Sequence, residues 1–122
     1  MLPAQARLRR RPEFTAVVRS GRRAGRPTMV LHLLPERPEP RPEGAGPRAG
    51  FVVGKAVGNS VVRHRVTRRL RAVVRDELHR LPDSADLVVR ARPEAADAPS
   101  ERLRADLVAG LSRVLDPGVR SR

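Results

Sequence analysis

The chain has 122 residues, no cysteine, two phenylalanines as its only aromatics, and 26 lysine and arginine residues against 13 aspartate and glutamate, a formal charge of +13. That length fits one domain with one modest core. The missing cysteines exclude disulfides, thiolate metal sites and a cysteine nucleophile, and no apolar run reaches the roughly 18 residues that a membrane helix needs.

The charge is localised. Residues 1–26 hold eight arginines and one acid, Glu13. Residues 27–48 hold three charges of each sign, and residues 49–75 hold Lys55 and six arginines with no acid. Residues 76–122 hold eight arginines and nine acids. A solubility device would be spread out, whereas two concentrated basic blocks read as the footprint of a polyanion. That lysine occurs once is what a GC-rich genome would write, but codon bias leaves the net charge unexplained.

In chain order, 1–11 reads as a flexible basic arm, and its lack of an apolar stretch argues against a secretory signal. Pro12 to Ser20 is expected to be a short helix. Proline suits the first turn, Phe14, Val17 and Val18 share a face, and Gly21 stops it. Thr28 to Leu34 is β-rich and predicts a strand. Residues 35–47 are a proline-rich loop, better explained as a tolerated insertion than as a PxxP ligand. Ala49 to Gly54 predicts a second strand. Asn59 is placed to cap a long helix from Ser60 to Leu81, which Pro82-Asp83 ends. Asp86 to Ala91 predicts a third strand. Ser100 is expected to cap a last helix running to Leu115, with 117–122 as a tail. The order α-β-β-α-β-α predicts one α+β domain over 1–122 with a small mixed sheet.

On a helical wheel Val62, Val66, Leu70, Val73 and Val74 fall on one side of the long helix and Arg65, Arg68, Arg71 and Arg75 on the other. Arg69 flanks the two, and Arg63 lies in the first turn. Solvated helix faces normally interleave acids, yet the first acid here is Asp76. Cations in the first turn also oppose the helix dipole by roughly 0.3–1 kcal/mol each. A phosphate-bearing partner would offset that cost, and free N–H groups near Asn59 would add a phosphate site. A DNA-binding regulator would need a helix-turn-helix or zinc-finger spacing, and neither is visible, so DNA is not expected. Two aromatics make no stacking platform. Residues alone therefore lead to a basic α+β protein that binds phosphate backbones, RNA more readily than DNA.

The stretch from Arg48 to Arg71, RAGFVVGKAVGNSVVRHRVTRRLR, resembles the signature of the bacterial ribonuclease P protein family. That family reads G-φ-x-φ-x-K-x-φ-G-x-A/S-V-x-R-N-R-φ-K-R-x-φ-R, where φ is apolar. Gly50, Lys55, Gly58, Val61, Arg63, Arg65, Arg68 and Arg71 stand where the motif asks for them. His64, Thr67 and Val18 depart from it: asparagine, a basic residue and often an aromatic are usual there. The opening helix, third strand and closing helix also fall where the family has its own, so the resemblance covers nearly the whole chain.

The resemblance implies a protein that pairs with a catalytic RNA, expected one to one. Together they remove the 5′ leader of precursor tRNA in the cytoplasm, and Mg2+ in the holoenzyme serves chemistry carried by the RNA. The protein would be an accessory subunit of an endoribonuclease with no catalytic or metal-ligating residue of its own. Asn59, Arg63, His64, Arg65, Arg68, Arg69 and Arg71 would contact the RNA subunit. Phe14, Val30, His32, Val52 and Lys55 would line a leader cleft between the first helix and the sheet, although Phe14 and the valines could equally be core. The resemblance also implies a left-handed β-α-β crossover, against the general right-handed rule. The scarcity of acids in the basic blocks independently argues against a protein nuclease, which needs a base, an acid or paired carboxylates. The chief rival is a ribosomal-type structural RNA binder of similar size and charge.

Overall fold

The computed structural model describes residues 2–3, 6–37 and 46–116. Most of the proline-rich loop, the tail 117–122 and residues 1, 4 and 5 of the arm lie outside these. The order is α1 (Arg11–Ser20), β1 (Arg22–Gly25), β2 (Met29–Leu34), β3 (Arg48–Val52), α2 (Ser60–Glu77), β4 (Asp86–Ala91) and α3 (Ser100–Leu115). The strands form one mixed sheet in the order β1-β2-β4-β3. β2 runs antiparallel to both its neighbours, while β3 and β4 are parallel and joined through α2.

β1 is the element that the sequence reading did not anticipate. RRAG has no β-branched or aromatic residue, so nothing local announces a strand. It pairs along the free edge of β2, from Arg22↔Leu33 to Gly25↔Val30, and its arginines suit an edge that must not recruit another strand. The central strands are another matter. β2 is buried over Met29–Leu33 and β4 over all but Arg90, because helices cover both faces, and strands covered twice read as continuous apolar runs.

The larger core lies between the sheet and α2 and α3. Met29, Leu31, Leu33, Leu87 and Val89 meet Val66, Leu70, Val73, Leu103, Leu107 and Leu111 there. Each such side chain contributes roughly 1.5–3 kcal/mol of burial free energy. The smaller core, on the opposite face, joins Leu8 and Val17 to Val88, with Phe14, Val18 and Leu34 packed against it.

Three local expectations are corrected. Described residues of the arm are packed: Leu2, Ala6 and Leu8 are buried, and Leu8 N–H donates to Ala49 C=O at 2.9 Å, so this part of the arm extends the edge beyond β3. α2 ends at Glu77, and Leu78–Arg80 continues as a 3-10 turn. Pro82 disfavours helix at the residue before it, and the last turn tightens. α3 begins at Ser100 itself with Pro99 at the cap position and no side-chain cap. Its anchorage comes instead from Asp106, which accepts from Thr28 N–H (3.0 Å) and Oγ1 (2.6 Å) and ties the β1–β2 turn to the helix.

Candidate nucleic-acid interface

The α2 surface starts at Gly58-Asn59. Gly58 has φ +157, and a Cβ there would stand 2.9 Å from Val62, so only glycine turns the chain tightly enough into the helix. Asn59 Oδ1 accepts from Val62 N–H at 3.0 Å. One of the free N–H groups expected for a phosphate is therefore already used by the cap. Beyond it Val66, Leu70, Val73 and Val74 are buried and Val62 half-buried, as the wheel required.

The basic residues of α2 from Arg63 to Arg71 divide into three groups. Arg65 and Arg69 lean towards the β4–α3 connection, where their guanidinium groups donate to the carbonyls of Ala96 (3.4 Å) and Ala98 (3.2 Å). His64 and Arg68 point outward and are exposed. With Ser60, Val61 and Arg65 they line an open groove of about 360 Å³. Arg63, Thr67 and Arg71 share the third side at i, i+4 and i+8. Thr67 and Arg71 reach a cleft of about 240 Å³ that Arg7, Leu8, Arg9, Phe14 and Gly50 also line. No carboxylate interrupts these groups. Asp76, the first acid, accepts from Arg104 at 2.9 Å and lies 3.6 Å from Arg75, so among the described residues Arg75 is the one member of the predicted row that has an acid beside it.

The second set sits on the sheet face that α1 covers. The register puts Val30, Arg90 and Val52 in one lateral row and Arg23, His32, Val88 and Gly50 in the next. Phe14 lies directly over Gly50, where a Cβ would overlap its ring and stand 2.8 Å from Leu8 Cβ. Phe14 is half-buried, and Val52 and Lys55 are exposed. Val30 and His32 do share the face, but both are buried and form its floor. Neither ring nitrogen of His32 has a hydrogen-bond partner among the described residues. Burial, then the charges of Arg90 and Arg23, hold its pKa below the ordinary 6.5.

Arg90 was missed by the sequence reading. It is the exposed charge within an otherwise buried strand, and that break in DLVVRA was the available signal. Glu13, the one acid of the first block, is not free for chemistry. It accepts from the N–H groups of Arg9 (3.2 Å) and Arg10 (3.0 Å) and from Arg48 (2.8 Å). Burial pushes its carboxyl up, but these bonds and the Arg48 charge outweigh it and leave the pKa below 4.5. Among the described residues no three His, Cys, Asp or Glu side chains cluster as metal ligands, and no helix is long and apolar enough to cross a membrane.

A small mixed sheet, a crossover helix whose arginines from Arg63 to Arg71 have no acid beside them among the described residues, and a basic cleft next to it define a small α+β protein with a strongly basic face. A family profile described as Ribonuclease P matches residues 2–115. The chain is 53% identical over 123 residues to the ribonuclease P protein component of Streptomyces griseus, covering 98% of this chain and all of that one. It is 50% identical over 115 residues to that of Corynebacterium diphtheriae, covering 93% and 97%. In structure it is similar to the Staphylococcus aureus RNase P protein, with a TM-score of 0.72 at 22% identity over 91% of this chain and 98% of that one. It is also similar to the Thermotoga maritima protein, with a TM-score of 0.68 at 22% identity over 84% and 92%. The chain belongs to the ribonuclease P protein family.

Proposed function

We propose that this protein binds the catalytic RNA of ribonuclease P through α2 and the 5′ leader of precursor tRNA through the cleft beside α1, as one protein per RNA in the cytoplasm. The observation that carries this is the outward side of α2, where arginine recurs from Arg63 to Arg71 with no acid before Asp76. Asn59, Arg63, His64, Arg65, Arg68, Arg69 and Arg71 meet the RNA subunit. The carbonyl contacts of Arg65 and Arg69 fix their guanidinium groups in place, which reduces the side-chain entropy lost on binding. Phe14, Val52 and Lys55, joined by Arg90, contact the leader over the floor of Val30 and His32.

The protein's work in this reading is charge and placement. Its arginines replace counterions around the two RNAs and allow them to approach at low salt. Bond hydrolysis belongs to the RNA with its Mg2+. The commitment of Glu13 to Arg48 and to backbone N–H groups supports this, since it leaves no unpaired carboxylate in the first basic block to act as a general base.

The test is single-turnover cleavage of a 5′-labelled precursor tRNA at low magnesium, with a transcribed bacterial ribonuclease P RNA, with and without the protein. Correct 5′ ends only when both are present is the expected outcome. Cleavage by the protein alone would overturn the division of labour, and a folded protein that stimulates no such RNA would favour the ribosomal-type reading. Arg65→Ala with Arg68→Ala should weaken assembly and make its salt dependence shallower by about 1.4–1.8 log units for two lost phosphates. A flat salt profile for the unmodified protein would remove the electrostatic argument.

A further inference from the structure

We propose that the outer face of α1 is a second RNA contact. There Arg11 and Arg19 hold the sugar-phosphate backbone of the precursor's leader after it leaves the cleft, without reading its bases. This rests on the leader reading above and extends it to a surface outside the cleft.

α1 spends its inner face on packing: Val17 is fully buried, and Phe14 and Val18 lie against the smaller core. Arg11, Thr15 and Arg19 recur at i, i+4 and i+8 on the other side, and all three are exposed. With Pro12, Ala16 and Ser20 they line an open groove of about 650 Å³. Among the described residues no aromatic or amide side chain lines it, so the groove offers charge and the hydroxyls of Thr15 and Ser20 and nothing that would discriminate a base. Thr15 Oγ1 already donates to Arg11 C=O at 3.1 Å, and the two guanidinium groups are the charged feature of the groove.

Among the described residues neither guanidinium group has a hydrogen bond or an ion pair. The one acid of residues 1–26, Glu13, is turned inward to Arg48 at 2.8 Å. Arg11 lies in the first helical turn, where a positive charge opposes the dipole and an anion would relieve it. The two arginines are eight residues apart, about 12 Å along the axis, enough to engage separate phosphates of one strand. The groove begins two residues along the chain from the cleft: Arg7 and Arg9 line the cleft and Arg11 lines the groove. A strand passing Phe14 and turning over the start of α1 would meet Arg9, then Arg11, then Arg19.

The experiment uses the assembled holoenzyme and two precursors, one with a long leader and one whose leader ends inside the cleft. Assembly with the RNA subunit is measured first, and its failure for the unmodified protein would overturn the reading above and this one together. Arg11→Ala with Arg19→Ala should weaken binding of the long-leader precursor several-fold. It should also make that precursor's plot of log affinity against log salt shallower by about 1.4, the single-strand value for two phosphates. The short-leader precursor should be unaffected, the circular-dichroism melt unchanged, and Arg11→Lys with Arg19→Lys should restore most of the loss, since a phosphate accepts either cation. Unchanged long-leader binding in the alanine variant would overturn the proposal. So would an equal loss with both precursors, which would move the contact to the RNA subunit while leaving the cleft reading intact.

Discussion

Arginine does opposite things at the two ends of this molecule. Around Asp86, at the start of β4, it is locked. Arg37, almost wholly buried, donates through Nε to Asp86 at 3.2 Å and through Nη2 to the carbonyls of Gly46, Asp83 and Ala85. Arg48 forks onto the same carboxylate at 2.8 and 2.6 Å and reaches Glu13 with its third nitrogen at 2.8 Å. The hydrogen bond to Asp86 outweighs the burial of Arg48 and raises its pKa further. Among the described residues no arginine of α2 from Arg63 to Arg71 has a carboxylate beside it, and the bonds these guanidinium groups make there go to two carbonyls. The difference lies in where acids are spent. Glu13 of the first block and Asp86 of the acid-richer 76–122 take up Arg37 and Arg48 and so hold the sheet to α1 and to the described residues of the proline-rich loop, while 49–75 stays open to an external anion.

The largest effect should come from breaking the locked side. Asp86→Ala leaves Arg37 buried with carbonyls alone and removes the fork from Arg48. Loss of one partner of a buried ion pair costs about 3–5 kcal/mol, a large share of a small domain's stability. Urea denaturation should show it, and binding of RNA by the fraction that remains folded should persist. A loss below about 1 kcal/mol would place this network among surface pairs and dissolve the contrast. A smaller effect is expected where the two sides meet. Gly50→Ala drives a methyl into the Phe14 ring and Leu8, an overpacking worth about 1–3 kcal/mol, and it should loosen α1 over the cleft. Phe14→Leu in the same chain should recover part of the melt but not leader binding. Recovery of both would show that Phe14 only fills space.

What could be read in advance follows from how far each interaction reaches along the chain. The inner face of α2 was legible because Val66, Leu70, Val73 and Val74 repeat within one helix. The span of β4 was legible because DLVVRA is bounded by turn residues on both sides. β1 was not, since its hydrogen bonds are imposed by the free edge of β2 and not by RRAG. Nor was the division of the α2 arginines: the acceptors of Arg65 and Arg69 lie 31 and 29 residues away. The family resemblance led to the expectation that Arg65 and Arg69 contact RNA, but only the packing of the β4–α3 connection shows that they are braced. Likewise the alternation of β2 put Val30 and His32 on one face, yet their burial depends on how α1 and the neighbouring strands cover it, which no local pattern encodes.

The smallest predicted effect concerns His32, and it turns on sign. The ring is buried on the α1 side of the sheet, without a hydrogen-bond partner among the described residues, between strands that carry Arg23 and Arg90. Burial and then the two cations lower its pKa from 6.5. The folded state therefore holds His32 neutral, while the unfolded chain takes up a proton as pH drops through 6.5. Whatever stability this contributes is complete above that value and is lost as pH falls through the lower, folded pKa. Glu13 has the same sign, but its window lies below 4.5, so the two can be separated. The urea midpoint should decline as pH falls through 6.5, above the Glu13 window, and His32→Gln should flatten that part of the curve only. An identical decline in the variant would assign the titration elsewhere. A decline confined to the unmodified chain would mean that this face, already carrying Arg23 and Arg90, cannot accept a third positive charge, whereas the outward face of α2 carries its arginines without a compensating acid.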